Sequence, residues 1–378
     1  MNLEQRDFKL DILKAIGLAC IILAHVSPNE TISQLRNFDV PLMVLVSGAL
    51  FEISSRQKNL ATFDYVKRRI PRLIAPVWIF FAFFFLFTYI VCTLSGQAYP
   101  YTARETVDTF LLIQGIGFVW IIRVFVAIAL VAPWIKKALS FTENNRLRLI
   151  AIFGVYVLFE ILNYFWGDLD TPVLGIAFIY FWFGKFYFIL YHLFFKRVVL
   201  YVLPYGCVFA LGIVISQLRR KTILLMSAFF LAVFSAIALF LFLDNGMIIS
   251  TQVYKYPPQT YYFSYALFVS CLLYYLFDKF LQHYPQIIFK SKRLSQSIVF
   301  VSTSSMWIYL WHIWSLVYLP EILGDWWIWK QTVFGRFLIV FLFSSLITYT
   351  QKIGVSRLIQ KTQLGRSHAR WISVLFLK

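Results

Sequence analysis

The sequence predicts an all-α fold, a polytopic transmembrane helix bundle, and three observations lead to this class. Of its 378 residues, 60% are hydrophobic and only 14% are charged, whereas a soluble domain is typically about 45–50% apolar and about 25% charged. The mean hydropathy is +0.73. The charged residues lie in clusters between apolar runs that are long enough to cross a bilayer. A soluble domain is therefore excluded, and an aromatic content of 20% excludes a disordered chain.

Eleven apolar segments are candidates for membrane crossing. They cover approximately residues 10–27, 38–55, 74–95, 109–133, 148–166, 172–194, 198–217, 222–243, 260–280, 298–319 and 333–351. Both ends of the chain are basic, so the positive-inside rule places both in the cytoplasm and requires an even number of crossings. Segment 198–217 contains Pro204 and has basic clusters on both sides, so we interpret it as dipping into the membrane and returning, or lying along the inner interface. The prediction is about ten crossings, with eleven still possible.

The formal net charge of +18 follows the same rule. Basic residues flank apolar spans instead of lining one soluble face, so we predict no nucleic-acid partner. The cysteines form no CxxC pair and predict neither a disulfide framework nor a metal site. We see no cleavable signal peptide and no appended soluble module. The expectation is a single integral-membrane domain over residues 1–378.

The first span carries a polar stripe on an otherwise apolar helix. Lys14 and His25 are eleven residues apart, which is about three helical turns, and Asp11 lies one turn before Lys14. With Asp7 these residues form a polar stripe, and with the N-terminus inside, His25 is predicted to lie towards the outer end of the span. The alternative is that Asp11 and Lys14 only mark the inner membrane interface and His25 the outer one.

A basic cluster precedes the third span and contains Arg68, Arg69 and Arg72. We interpret it as a cytoplasmic loop, stiffened by Pro71 and Pro76. The positive-inside rule alone would explain its charges. However, Arg69 and Arg72 stand at i and i+3, so their guanidinium groups can converge on one anion, and Arg binds phosphate well. A cytoplasmic ligand rich in phosphate, such as coenzyme A, fits this cluster.

A second histidine, His312, is predicted at a depth similar to that of His25. It is either functional or packed structurally among aromatic neighbours that include Tyr309. Arg123 lies in the fourth predicted crossing, where a charge by default faces the protein interior. Its candidate partners are Glu160, Asp39 and a bound ligand. Asp39 opens the second span and is a candidate for orienting the His25 ring.

Two further features are open at this level. Ser47 and Gly48 would let two helices approach closely. The outer loop from Lys255 to Tyr262 is aromatic and contains two prolines, so it is either an interface belt or a surface for stacking sugars.

Taken together, these residues resemble acyltransferase family 3, the integral-membrane O-acyltransferases. The motifs run in family order from about residue 6 to residue 315. The motif residues are Asp11, Lys14 and His25; Phe38, Val40, Pro41, Ser47, Gly48, Leu50 and Phe51; Arg69 and Arg72; Trp120 and Arg123; and Ser305, Ile308, Tyr309, Leu310 and His312. The loop with Tyr256, Pro257 and Pro258 resembles one in a polysaccharide-modifying branch.

The resemblance implies transfer of an acetyl group from acetyl-CoA to a hydroxyl of an envelope carbohydrate. The acceptor class would be a surface polysaccharide, an exopolysaccharide or a lipid-linked glycan, and the location the inner (cytoplasmic) membrane as a multi-pass protein. His25 would be catalytic, supported by Lys14 and Asp11, and no metal is implied. The remaining implied residues are Arg68, Arg69 and Arg72 for the coenzyme A nucleotide, and Arg123, His312, Tyr309 and Asp39 as substrate or structural residues.

Two departures qualify the expectation. Lys14 stands where the family often has Arg, which keeps the charge but loses the bidentate fork. The esterase-like domain that some members carry is absent, so any later transfer step would need a separate envelope-assembly protein. Membrane lipid is the other expected partner.

Three alternatives remain open at this level. One is a transporter of lipid-linked oligosaccharides, and another is a non-catalytic component of an envelope-assembly complex. The third is an acyltransferase that uses another acyl group, such as succinyl.

Overall fold

The computed structural model describes residues 6–56, 62–113, 115–166, 199–284, 291–324, 329 and 332–376. Within these ranges all the regular structure is helical, apart from one isolated β-bridge between Lys255 and Pro258. The prediction of an all-α fold is confirmed. In chain order the helices are α1 (Phe8–His25), α2 (Glu30–Leu35), α3 (Asp39–Arg56), α4 (Thr62–Ser95), α5 (Ala103–Phe110), α6 (Val119–Leu139), α7 (Asn145–Trp166), α8 (Leu200–Ile215), α9 (Arg220–Asn245), a 3₁₀ turn (Thr251–Tyr254), α10 (Thr260–His283), α11 (Lys292–Leu323), α12 (Val333–Lys361), α13 (Gln363–Ser367) and α14 (Ala369–Phe376).

Seven helical stretches in the described residues are long and apolar enough to cross a membrane. They are Glu30–Arg56, Phe63–Ser95, Val119–Leu139, Asn145–Phe165, Arg220–Asn245, Thr260–His283 and Val333–Lys361. Helix α1 is not among them, and it carries three charged residues within its length: Lys9, Asp11 and Lys14. The predicted segment 172–194 lies outside the described residues. The number of crossings and the cytoplasmic location of both ends remain predictions.

The basic cluster before the third span is helical, so its interpretation as a loop is wrong. Helix α4 begins at Thr62 and continues through both Pro71 and Pro76. A proline inside a helix removes one backbone hydrogen bond and bends the axis, but a long helix can continue past it. Arg69 and Arg72 therefore do lie one turn apart on a helix face, as their spacing predicted.

The predicted span 109–133 is interrupted. Helix α5 ends at Phe110 and helix α6 begins only at Val119. The connection contains two residues with a left-handed backbone, Leu112 at φ 58° and Gly115 at φ 53°, which no helix tolerates. Arg123 consequently lies in the second turn of α6 and not in the middle of a span.

Segment 198–217 forms one continuous helix, α8, with no turn inside Leu200–Ile215. Twelve of its sixteen residues are buried. A segment that dips into the membrane and returns would contain a turn, so that form of the prediction is wrong, while the interfacial form stays a prediction. Pro204 is accommodated near the start of α8, where few intrahelical bonds are lost.

The chain divides into two compact units. The first contains Met1–Arg36, Phe63–Val126 and His283–Lys378, and the second contains Asn37–Thr62 and Ala127–Gln282. In the first unit α1 packs on α11, and α11 packs on α12. In the second unit α8 packs on α3 and α7.

The contact between α3 and α8 depends on two glycines. A Cβ atom on Gly48 would lie 2.1 Å from the carbonyl oxygen of Phe209, and one on Gly212 would lie 2.1 Å from that of Leu45. No side chain fits at such distances, so these backbones touch directly. The predicted close approach at Gly48 is confirmed.

Candidate active site

The two histidines singled out in the sequence meet in the first unit. His25 ends α1, and His312 lies in α11, fully buried. The Nε2 atom of His312 is 3.0 Å from the Nδ1 atom of His25. The rings are stacked, with centroids 5.1 Å apart. The two helices therefore hold a hydrogen-bonded histidine pair.

The hydrogen bonds assign the tautomers of this pair. The Nδ1 atom of His312 contacts the carbonyl oxygen of Tyr309, which can only accept, so this nitrogen carries the hydrogen. In a neutral His312 ring, Nε2 is then the acceptor, and the Nδ1–H group of His25 donates to it. The lone pair of a neutral His25 is consequently at Nε2. A nitrogen in this state can take a proton from a hydroxyl group.

Two other predicted residues, Tyr309 and Arg123, donate hydrogen bonds to backbone carbonyl oxygens near the histidine pair. The Tyr309 hydroxyl donates to the Phe118 carbonyl oxygen over 2.6 Å. Arg123 donates from Nη1 to the Ile113 carbonyl oxygen. Both bonds end on the connection between α5 and α6.

Asp11, at the other end of α1, is held by two elements. It is buried and forms a bidentate ion pair with Arg6, with Nη2 and Oδ1 2.8 Å apart. It also accepts a hydrogen bond of 2.5 Å from the Ser302 hydroxyl of α11. The hydrogen bond to Asp11 raises the pKa of the Arg6 guanidinium. Asp11 therefore fixes α1 to α11 and to the segment before α1.

A cluster of cations surrounds Lys14, and we call Arg6, Lys14, Arg69 and Lys352 the cationic cluster. Arg69 of α4 and Lys352 of α12 both repel Lys14 electrostatically, as does Arg6. Asp11 is the one carboxylate that acts on Lys14 in the described part of the chain, and it is already bonded to Arg6 and Ser302. Within the same ranges, Lys14, Arg69 and Lys352 form no ion pair. Such a cluster favours an anion with several negative charges.

Arg68, Arg69 and Arg72 are all exposed on α4. Of the three, Arg69 is the one that acts electrostatically on Lys14 in the described part of the chain.

Asp39 belongs to the second unit, where it is buried at the start of α3. Its Oδ1 atom accepts from the Val40 amide at 2.7 Å and lies 3.8 Å from the Lys255 ammonium. Lys255 also donates to Asn37 at 3.1 Å. The role of Asp39 in orienting His25 stays a prediction. Lys255 is 3% exposed, so it anchors the aromatic loop from within.

Glu160, a predicted partner of Arg123, caps a helix in the second unit. Its Oε1 atom accepts hydrogen bonds from the Thr260 amide and hydroxyl at the start of α10, and from Tyr156 at 2.8 Å. Among the described residues, no group of three His, Cys, Asp or Glu side chains could hold a metal ion.

Several residues of the site could not be identified from the sequence. Lys352 looks like one of many basic residues flanking the last span, and Arg6 looks like part of the charged start of the chain. Ser302 gives no signal apart from its place in the Ser-rich stretch before His312. Phe118 is one of 41 phenylalanines. These residues matter because of tertiary proximity, which no local pattern records.

The fold and the site define a multi-pass membrane protein in which helix α1 contributes His25 to a histidine pair and Lys14 to a cationic cluster. A sequence model of the acyltransferase 3 family, an acyltransferase domain, matches residues 7–350. The chain belongs to this family and is a membrane acyltransferase, as the resemblance predicted. No curated protein and no solved structure matches the chain significantly. Family membership favours an enzyme over the transporter and the non-catalytic component.

Proposed function

We propose that this acyltransferase moves an acetyl group from acetyl-CoA to a hydroxyl of an envelope carbohydrate, with His25 as general base. One observation carries the proposal: α1 holds the histidine pair at one end and contributes Lys14 to the cationic cluster near the other. A two-substrate transfer needs both a base at the reacting hydroxyl and a grip on the donor.

The cationic cluster supports a coenzyme donor. Acyl-CoA carries its negative charge on phosphates, and its thioester lies at the far end of a long neutral arm. Lys14, Arg69 and Lys352 would bind the phosphates as point charges and, for Arg69, as a hydrogen-bonding fork. Arg72 and Arg68 would extend this grip to the nucleotide along α4.

The spacing along α1 suits such a donor. Lys14 and His25 are eleven residues apart, which corresponds to about 16 Å along a helix. An extended phosphopantetheine arm is comparable in length. Phosphates at Lys14 would therefore leave the thioester within reach of His25.

The histidine pair supports base catalysis. The Nε2 atom of His25 would take the proton of the sugar hydroxyl as its oxygen attacks the thioester carbonyl carbon. The tetrahedral intermediate then collapses, the C–S bond breaks, and the thiolate of coenzyme A takes the proton from the His25 imidazolium. His312 would hold the Nδ1–H group of His25 throughout, so the ring stays correctly oriented.

The expected surroundings complete the proposal. The phosphate end would face the cytoplasm, where acyl-CoA is made, and His25 would lie towards the outer half of the inner membrane. A surface polysaccharide, an exopolysaccharide or a lipid-linked glycan would enter there. Membrane lipid and envelope-assembly proteins would be its neighbours, and the chemistry needs no metal.

The test is transfer of labelled acetyl from acetyl-CoA into the carbohydrate fraction of native membranes. Wild type should incorporate label and His25→Ala should not, at equal protein levels. Arg69→Ala/Arg72→Ala should raise the KM for acetyl-CoA, whereas the control Arg104→Ala should not, because Arg104 is exposed on α5 and pairs only weakly with Asp108 at 3.8 Å. Full activity in His25→Ala would show that His25 is not the general base. If label is incorporated from succinyl-CoA and not from acetyl-CoA, the transferred group is succinyl and not acetyl.

A further inference from the structure

The connection between α5 and α6 has an unusual, well-supported backbone. Gly115 adopts φ 53°, and a Cβ atom there would lie 2.0 Å from Oγ1 of Thr109. That hydroxyl oxygen in turn accepts a hydrogen bond of 3.0 Å from the Ile116 amide. The turn is therefore folded tightly onto the end of α5, and only glycine fits at its tightest point.

Two more side chains hold the same connection from other helices. Arg123, in α6, donates to the carbonyl oxygen of Ile113. Tyr309, in α11, donates to the carbonyl oxygen of Phe118 over 2.6 Å. Both bonds go from a polar side chain to the backbone, so they fix where the connection runs whatever its sequence.

Phe118, the last residue of this connection, lies against both histidines. Its ring meets His25 edge to face, with centroids 4.9 Å apart and planes at 80°. It meets His312 in the same way, at 5.6 Å and 85°. Phe118 is therefore the aromatic wall of the histidine pair, placed by Tyr309 and Arg123.

We infer that Phe118 limits the size of the acyl group that reaches His25, and that Tyr309 and Arg123 are the positioning residues for this wall. The inference rests on the proposed function and deepens it, because it selects a short, unbranched acyl group as the donor class. It also gives one common role to Arg123 and Tyr309.

The acyl substituent and the Phe118 ring would compete for the same space beside His25. For reaction, the thioester carbon must come within about 3–3.5 Å of the hydroxyl oxygen, whose proton goes to His25. The acyl substituent on that carbon then lies within one side-chain length of the Phe118 ring. An acetyl group ends at a methyl, whereas propionyl and butyryl groups add one and two carbons that would press on the ring. One methylene in an apolar site changes kcat/KM by about 10–200-fold.

The experiment measures kcat/KM for acetyl-CoA, propionyl-CoA and butyryl-CoA, with one carbohydrate acceptor. Wild type should prefer acetyl-CoA. Phe118→Ala should raise the ratio of butyryl to acetyl transfer by about tenfold or more, and Phe118→Leu should raise it less. The control Phe334→Ala removes an aromatic ring that is 65% exposed at the start of α12, and its ratio should equal that of wild type.

The positioning residues have a separate readout. Tyr309→Phe deletes the hydroxyl and keeps the ring, so it should shift the same ratio in the same direction, by a smaller factor. Arg123→Gln should do so too. A purely structural role would lower transfer from every donor equally and leave the ratio unchanged.

The outcomes separate the two proposals. If wild type transfers no acyl group from any CoA donor, the proposed function fails. Suppose that wild type transfers acetyl but the ratio of butyryl to acetyl transfer is the same in wild type, Phe118→Ala and Phe118→Leu. The inference about Phe118 is then overturned and the proposed function stands. An equal loss of activity with all donors counts as an unchanged ratio. An unchanged ratio in Tyr309→Phe and Arg123→Gln overturns their positioning role.

Discussion

The two units of the molecule treat their buried charges in opposite ways. In the second unit the buried charged residues described here, and half-buried Glu160, have structural partners. Lys255 lies 3.8 Å from Asp39, Glu52 bonds Lys136 at 3.0 Å and Arg56 at 2.7 Å, and Glu160 caps α10. In the first unit half-buried Lys14 is repelled by exposed Arg69 and half-buried Lys352. The one carboxylate that attracts Lys14 in the described residues, Asp11, is bonded to Arg6 and Ser302.

The difference supports the proposal that an anionic donor binds in the first unit. An uncompensated charge that is partly buried is costly, so a protein keeps like charges together mainly where an anion neutralises them. Ion pairs and helix caps of the second unit stabilise helices, whereas the cations around Lys14 in the first unit would bind the proposed anionic donor. Substitutions should therefore reduce stability in the second unit and activity in the first.

The largest effect is expected for Lys255→Met in the second unit. It removes the ammonium that lies beside buried Asp39 and Asn37, and loss of one member of a buried ion pair costs about 3–5 kcal/mol. Thermal unfolding in detergent should show a clear loss of Tm. The double variant Lys255→Met/Asp39→Asn should recover part of that loss, since no carboxylate is left behind. An unchanged Tm in the single variant would mean that this charge pair does not stabilise the unit.

The second effect concerns the histidine pair of the first unit. His312→Leu removes the acceptor for the Nδ1–H group of His25, so we expect kcat to fall by about 100-fold, the lower range for a disrupted base. His312→Gln keeps an oxygen near the position of Nε2 and should retain most of the activity. Both variants should unfold near the wild-type temperature. Equal losses of kcat in the two variants would show that the hydrogen bond is not what His312 supplies.

The third largest effect is expected at the contact between α3 and α8 in the second unit. Gly48→Ala places a methyl group only 2.1 Å from the Phe209 carbonyl oxygen, so α3 and α8 must separate. Overpacking of this kind costs about 1–3 kcal/mol. We expect a lower Tm with unchanged activity per folded molecule. Gly154→Ala is the control, because nothing lies within 4 Å of a Cβ atom there. A kcat change at constant Tm would contradict the assignment of this contact to stability.

The sequence predicted the spacing of Lys14 and His25 better than it predicted the boundaries of the helices around them. The spacing of Lys14 and His25 follows from helix periodicity alone, and a second histidine at similar depth was visible in the apolar pattern. The break before Val119 was hidden because apolar residues continue through it, and hydropathy does not record backbone conformation. The contacts of Lys352 and Phe118 join segments far apart in the chain, so no spacing rule could find them.

The smallest effect tests the cationic cluster at its least expected member. Lys352→Ala removes one of the cations that repel Lys14. The Lys352 ammonium also lies 5.9 Å from the centroid of the Phe300 ring. One screened charge contact to a phosphate should change the KM for acetyl-CoA by about tenfold, with kcat unaltered because the residue is remote from His25. Lys361→Ala on the same helix is the matched control, since Lys361 is exposed. The KM effect should shrink as salt is raised, because added ions screen the contact. A fall in kcat at constant KM would show that Lys352 does not bind the donor. The first unit would then have one fewer cation that acts on a ligand.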